Sequence, residues 1–166
     1  MIARVLLSEF EHEAASTRKL LQAVPQKDIR FKPSEISWTM GELAQHIATI
    51  YYWFVGTLRK DEYDIDADSF ERGDPHDIGA TLQLFEKNLR LAREALESVT
   101  DDDLQRPWTM ISGGKAVLGP MPKGVVARGF LFNHLYHHRG EMIVYLRATG
   151  NQVPGMYGPV YEDGMP

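Results

Sequence analysis

The chain has 166 residues, 43% of them hydrophobic, and a formal net charge of -5. That length and apolar content suit a single domain, 1–166, with its own hydrophobic core. Its 23 acidic residues outnumber 18 scattered basic ones, which argues against a nucleic-acid surface, and the absence of cysteine excludes disulfides, zinc–thiolate sites and cysteine nucleophiles.

A chain without disulfides leans towards the cytoplasm. Residues 1–10 include Arg4 and Glu9 and do not read as a signal peptide. The longest apolar region, 47–58, is too short to span a bilayer, so no membrane role is expected.

Residues 2–24 predict the first helix, because Ile2, Leu6, Phe10, Thr17, Leu21 and Val24 recur at three- and four-residue spacing between charges. Pro25 closes it, and Pro33 keeps the connector 27–37 from continuing the helix. The second helix opens on Thr39-Met40-Gly41-Glu42, which has capping-box spacing, with Trp38 placed to contact Leu43 in a staple. Leu43, His46, Ile50, Trp53 and Thr57 form one stripe, widened by Ile47, Phe54 and Leu58. A helix this apolar is either central in a bundle or also faces a partner subunit, with Tyr51 and Trp53 as the expected outward positions.

Residues 59–75 are acidic and turn-rich and read as an exposed connection; their aspartates lack the ligand order of a calcium loop. Asp74-Pro75 marks the next helix start, with Asp74 as its cap. Ile78, Leu82, Phe85, Leu89, Ala92, Leu96 and Val99 then step by fours and threes as a bundle seam. Prolines and glycines break the pattern over 100–124, where 108–111 and 116–118 flank a turn and predict a small hairpin. The fourth helix is expected over 123–148, with Ala127, Leu131, His134, His138, Met142 and Tyr145 on one stripe and Gly150 as its C-cap. The proline- and glycine-rich tail, 151–166, is non-helical but has enough apolar side chains to pack on the domain. The sum is an all-α four-helix bundle with a small hairpin between helices three and four; an α+β domain with that hairpin as a minor sheet is the alternative.

His134 and His138 are spaced i,i+4, so on a helix their rings lie one turn apart on one face. Two such imidazoles can hold a metal ion if a third ligand comes from elsewhere, and His46, on the apolar stripe of the second helix, is the best candidate. The plainer alternative is a pair of core histidines hydrogen-bonded to hydroxyls or carboxylates, since unpaired ring nitrogens are costly to bury. His137 projects partly off the stripe and is open to three roles: a ligand in place of His138, a base, or a hydrogen-bonding partner behind the ligands. The segment lacks the glutamate that would follow the first histidine in a zincin motif, which argues against that protease chemistry.

Residues 133–141, Asn-His-Leu-Tyr-His-His-Arg-Gly-Glu, resemble the H-x-x-H-H-x-G-Q signature of the DinB/YfiT-like metalloenzyme family. Residues 37–47 resemble the family's second-helix segment, where its first metal-binding histidine lies. The resemblance implies a four-helix bundle of up-down-down-up topology, a homodimer, and a divalent metal ion held by His46, His134 and His138. Nickel or zinc comes first for that ion, then manganese or iron. Glu141 stands where the family often has glutamine. Related activities imply a metal-activated thiol or water for S-transferase or hydrolase chemistry on a small-molecule substrate, with a low-molecular-weight thiol as the expected partner and His137 handling protons. A non-catalytic metal-binding or stress-response homodimer is the alternative, and a metal-free bundle with hydrogen-bonded histidines is the third reading.

Overall fold

In the computed structural model, which describes residues 1–164, four long helices turn their apolar stripes towards one core. Met165 and Pro166, the end of the expected tail, lie outside the described residues. Helix α1 (Ile2–Gln22) buries Leu6, Phe10, Leu20 and Leu21. Helix α2 (Met40–Arg59) begins as its local sequence dictates. The Glu42 amide donates to Thr39 Oγ1 at 3.2 Å, and the Thr39 amide donates to Glu42 Oε2 at 2.7 Å, closing the capping box.

Helix α2 is buried on several sides. The ring of Tyr51 meets Phe10 of α1 at 5.5 Å and Phe85 of α3 (Ile78–Ser98) at 5.0 Å, both edge-on. Tyr51 is therefore fully buried, and its hydroxyl donates to Thr17 Oγ1 at 2.7 Å. This corrects the expectation that Tyr51 faces outward: flanking helices cover that side of α2. The α3 seam forms as expected, with Phe85, Leu89, Ala92 and Leu96 buried and Ile78, Leu82 and Val99 packed at its edge. Its cap is Asp77 rather than Asp74. Asp77 Oδ1 accepts from the amides of Gly79 at 2.8 Å and Ala80 at 3.2 Å, whereas Asp74 Oδ1 accepts from the His76 amide within the preceding turn.

The fold is mostly helical but not all-α. Strand β1 (Glu62–Asp64) pairs in parallel with β2 (Pro107–Ser112), and β2 pairs antiparallel with β3 (Lys115–Pro122), in the order β1-β2-β3. The expected hairpin is thus the larger part of a three-stranded sheet, whose third member comes from the acidic connection. β1 escapes sequence patterning because Tyr63 is its only buried residue. A short helix, α4 (Asp101–Gln105), with its own Thr100–Asp103 capping box, leads into β2.

The sheet rests on the C-terminal half of α2. Trp108 Nε1 donates to the carbonyl of Gly56 at 3.2 Å, and the buried Lys123 ammonium donates to the carbonyl of Leu58 at 3.1 Å. Tyr63, Trp108 and Val126 form a small second core there. Gly56 is required by this contact, since a Cβ at that position would lie 2.6 Å from the Tyr63 ring.

The expected fourth helix is three segments in one helical path: α5 (Lys123–Val126), a π-helical stretch (Ala127–Phe132) and α6 (Asn133–Ala148). Gly129 lies in the π stretch, and its carbonyl accepts from Asn133 Nδ2 at 3.0 Å. Such wide turns inside α-helices occur frequently at functional sites; this one ends at Phe132, two residues before His134. At the other end, the Gly150 amide bonds to Arg147 O at 3.1 Å and the Asn151 amide to Leu146 O at 2.9 Å, the paired bonds of a Schellman cap on a glycine at φ 73°. Among the described residues, no helix is long and apolar enough to cross a membrane.

A buried ionic network ties α6 to α1 and to the tail. The Arg139 guanidinium pairs with the Glu13 carboxylate and donates to Tyr157 Oη, Thr17 Oγ1 (3.1 Å) and the Glu13 carbonyl (3.0 Å). Tyr157 Oη in turn donates to Glu13 Oε2 at 2.8 Å. Arg139 and Glu13 are both buried, and Val153 of the tail joins the main core.

Candidate metal centre

His46 is two turns into α2, and His134 and His138 occupy the first turns of α6. Packing of α2 against α6 brings the three rings together. Their centroids stand 5.0 Å (His46–His134), 4.5 Å (His46–His138) and 4.6 Å (His134–His138) apart. One nitrogen from each ring can be chosen so that all three lie within 4.8 Å of one another. Nε2 of His46 and Nε2 of His134 are 3.1 Å apart. Nitrogen ligands at 2.0–2.1 Å on a tetrahedral ion stand roughly 3.3 Å apart, so the spacing suits two ligands of one small cation.

Aromatic side chains enclose the cluster. The Trp38 ring lies 4.7 Å from His46 and 5.5 Å from His138; Trp53 lies 5.6 Å from His46 and 5.5 Å from His134. Phe130, from the π stretch, stands 5.3 Å from His134. Trp38 is held from behind, because Tyr145 Oη on α6 donates to its carbonyl at 3.0 Å. Burial, reinforced by the neighbouring imidazoles, pushes His46 down to about 3 and His134 to about 4. Burial also lowers His138, opposed by its bond to Glu141. All three rings are therefore neutral near pH 7, the form that offers a lone pair to a metal.

Glu141 supplies His138 with the kind of hydrogen-bonding partner that metal-ligating histidines almost always have. Its Oε2 is 2.6 Å from Nδ1 of His138, which leaves Nε2 of that ring to face the cluster. Nδ1 of His134, by contrast, is buried with no partner. Leaving a buried nitrogen unpaired costs about 1–3 kcal/mol, and this ring lacks the partner that Glu141 gives His138.

The structure separates His137 from the triad. Its side chain is 64% exposed; its ring sits 4.8 Å from His138 and its Nε2 lies 3.4 Å from Glu141 Oε1. It is not positioned to replace His138 in the cluster. Glu42 is engaged as the α2 cap through Oε2. Trp38 and Trp53 are the site residues that sequence patterning missed. Trp38 reads locally as a helix staple, and Trp53 as an outward position. Their signal is spacing: Trp53 is seven residues, or two turns, from His46 on the same face of α2.

Long packed helices carrying three converging imidazoles beside an open cleft define the class of protein. The chain belongs to the DinB superfamily, whose family model matches residues 9–142. It is similar to the Bacillus subtilis proteins YrdA (27% identity over 162 residues; 95% of this chain, 89% of the relative) and YjoA (23% over 147 residues; 88% and 90%). Among solved structures, a DinB-like protein of Bacillus cereus superposes with a TM-score of 0.71 at 27% identity, covering 92% of this chain and 95% of the other. YfiT of Bacillus subtilis superposes with a TM-score of 0.63 at 14% identity, covering 89% and 87%, a likeness of fold. That protein is described as a probable metal-dependent hydrolase with an unusual four-helix bundle topology.

Proposed function

We propose that this protein is a divalent-metal-dependent enzyme, with His46, His134 and His138 as the ligands, that activates water or a small thiol for hydrolase or S-transferase chemistry. The observation that carries the reading is the convergence of three neutral, enclosed imidazoles from two helices. The description of YfiT as a probable metal-dependent hydrolase supports it, as does the family's fold. The bundle topology implied by the resemblance, up-down-down-up, and a homodimer belong to the same proposal.

When bound, the ion supplies Lewis acidity that lowers the pKa of a coordinated water or thiol. Glu141 holds His138 in the tautomer whose Nε2 faces the cluster. Trp38 and Trp53 present apolar ring faces on the flanks of the triad. His137, exposed and within 3.4 Å of Glu141, provides a route by which a proton on that carboxylate exchanges with solvent. A cleft of about 320 Å³ that includes His46 in its wall favours an enzyme over a closed structural site.

Metal content by mass spectrometry on wild type and on His46→Ala, His134→Ala and His138→Ala tests the proposal. Near one ion per chain in wild type, lost in each variant while helicity persists, is the expected result. A wild-type protein that retains no metal after incubation with nickel, zinc or manganese would overturn it.

A further inference from the structure

The cleft beside His46 is built for a ligand of a particular kind. Trp38, Trp53 and Phe70 supply aromatic walls, and Gln45 and Arg72 supply polar groups. Phe70 is held in place by stacking on Tyr52, with centroids 5.6 Å apart and planes inclined by 26°. Arg72 lies with its guanidinium carbon 5.3 Å over the Phe70 ring. A guanidinium laid on an aromatic face keeps its N–H edge available for a planar anion, which it grips with two parallel hydrogen bonds.

The two charged side chains of the cleft differ in how their polar atoms are engaged. Glu42 also lines it, but its Oε2 accepts from both the amide and the hydroxyl of Thr39 at the start of α2. The next residue to Arg72, Glu71, is paired with Lys87 at 2.6 Å. Arg72 forms no ion pair among the described residues; its contact is with Phe70. The Thr39 donors are uncharged and hold the Glu42 carboxyl below the usual carboxylate range, so the cleft carries one anion, fixed at the α2 cap, and one cation, Arg72, whose N–H edge has no carboxylate partner among the described residues.

We infer that the cleft binds an organic carboxylate with an aromatic or similarly flat apolar body, its carboxylate on Arg72 and Gln45 and its body among Trp38, Trp53 and Phe70. The opposite end of such a molecule is presented to His46. This names a substrate class for the histidine site, and in that respect it rests on the function proposed above. Arg72 is a specificity-determining residue on this assignment, and a metal ion would add to the preference for anions without being its source.

The test uses 3-phenylpropionate and its neutral amide as probes, titrated by calorimetry into wild type and Arg72→Gln. Each protein is measured after chelator treatment and again after metal loading, with metal content determined on the same samples. Arg72 is exposed, so the variant is expected to keep the wild-type circular dichroism spectrum. In the metal-free protein the carboxylate should bind about tenfold more tightly than the amide, the value of one charge-assisted contact, and Arg72→Gln should erase that difference. Equal affinity for acid and amide, no saturable binding of the acid, or an unchanged preference in Arg72→Gln would overturn the assignment. A preference that depends on Arg72 in a protein that retains no metal upholds the cleft assignment while removing the metalloenzyme. A retained metal without that preference removes the cleft assignment alone.

Discussion

Oε2 of Glu141 stands 2.6 Å from Nδ1 of His138, three residues back along α6. The carboxylate is partly exposed, while the ring it orients is buried. A charged acceptor here fixes the ring's tautomer and raises the basicity of its other nitrogen. Removing such a partner usually costs a metal site about 10–100-fold in affinity. Glu141→Ala should weaken metal binding by that order, and Glu141→Gln, which keeps an acceptor but not the charge, should weaken it less. Competition against a chromophoric chelator measures both, and wild-type affinity in Glu141→Ala would contradict the role.

The depressed histidines set a pH dependence for the metal-free protein. His46 is held at about 3 and His134 at about 4, against 6.5 for a free imidazole. Between those values the unfolded chain binds protons that the folded chain excludes, so stability rises with pH across the window. Stability is fully present above about 6.5 and is lost as the pH falls towards the folded values. Thermal midpoints of chelator-treated protein should therefore fall on acidification through this range. His46→Leu should flatten the slope, and an unchanged slope in that variant would show that His46 does not supply it.

The Arg139–Glu13 pair, one residue beyond His138, predicts a large stability effect. Glu13→Ala leaves a guanidinium buried without its counter-charge, a loss that typically costs about 3–5 kcal/mol. Tyr157→Phe removes only the hydroxyl that bridges the pair and should cost about 1–3 kcal/mol. Replacing both charges, Glu13→Leu with Arg139→Met, should cost less than Glu13→Ala alone. Urea unfolding curves decide among these, and a Glu13→Ala variant as stable as wild type would show that the pair carries no net burden.

Gly56 predicts a coupling between the sheet and α2. Its missing Cβ makes room for the Tyr63 ring. Gly56→Ala should cost about 1–3 kcal/mol through overpacking, and markedly less in a Tyr63→Ala background. A double-mutant cycle with no coupling would separate the two residues energetically.

Much of the fold is legible locally. The Thr39–Glu42 box, the α3 seam and the glycine that ends α6 are short-range patterns, written within a few residues and formed by the backbone around them. The i,i+4 spacing of His134 and His138 is of the same kind. Other features are legible only in part. The hairpin is marked by its turn residues, but β1 is not, because one buried tyrosine between two acids carries no strand period. The fourth helix is marked by its stripe, but not its change of winding, because a helical period does not distinguish an α turn from a π turn across Gly129.

By itself, then, the amino-acid order determined where the long helices lie, which apolar stripes they turn to the core and which histidines share a face. Those properties depend on periodicity and capping, which neighbours in the chain settle among themselves. Tertiary structure alone decided that His46 meets His134 and His138, that Tyr51 is enclosed, that Arg139 finds Glu13 and Tyr157, and that Arg72 reaches the cleft beside His46. Each of these joins residues distant in the chain, and such a pairing exists only once the faces of separate elements have packed and excluded water between them.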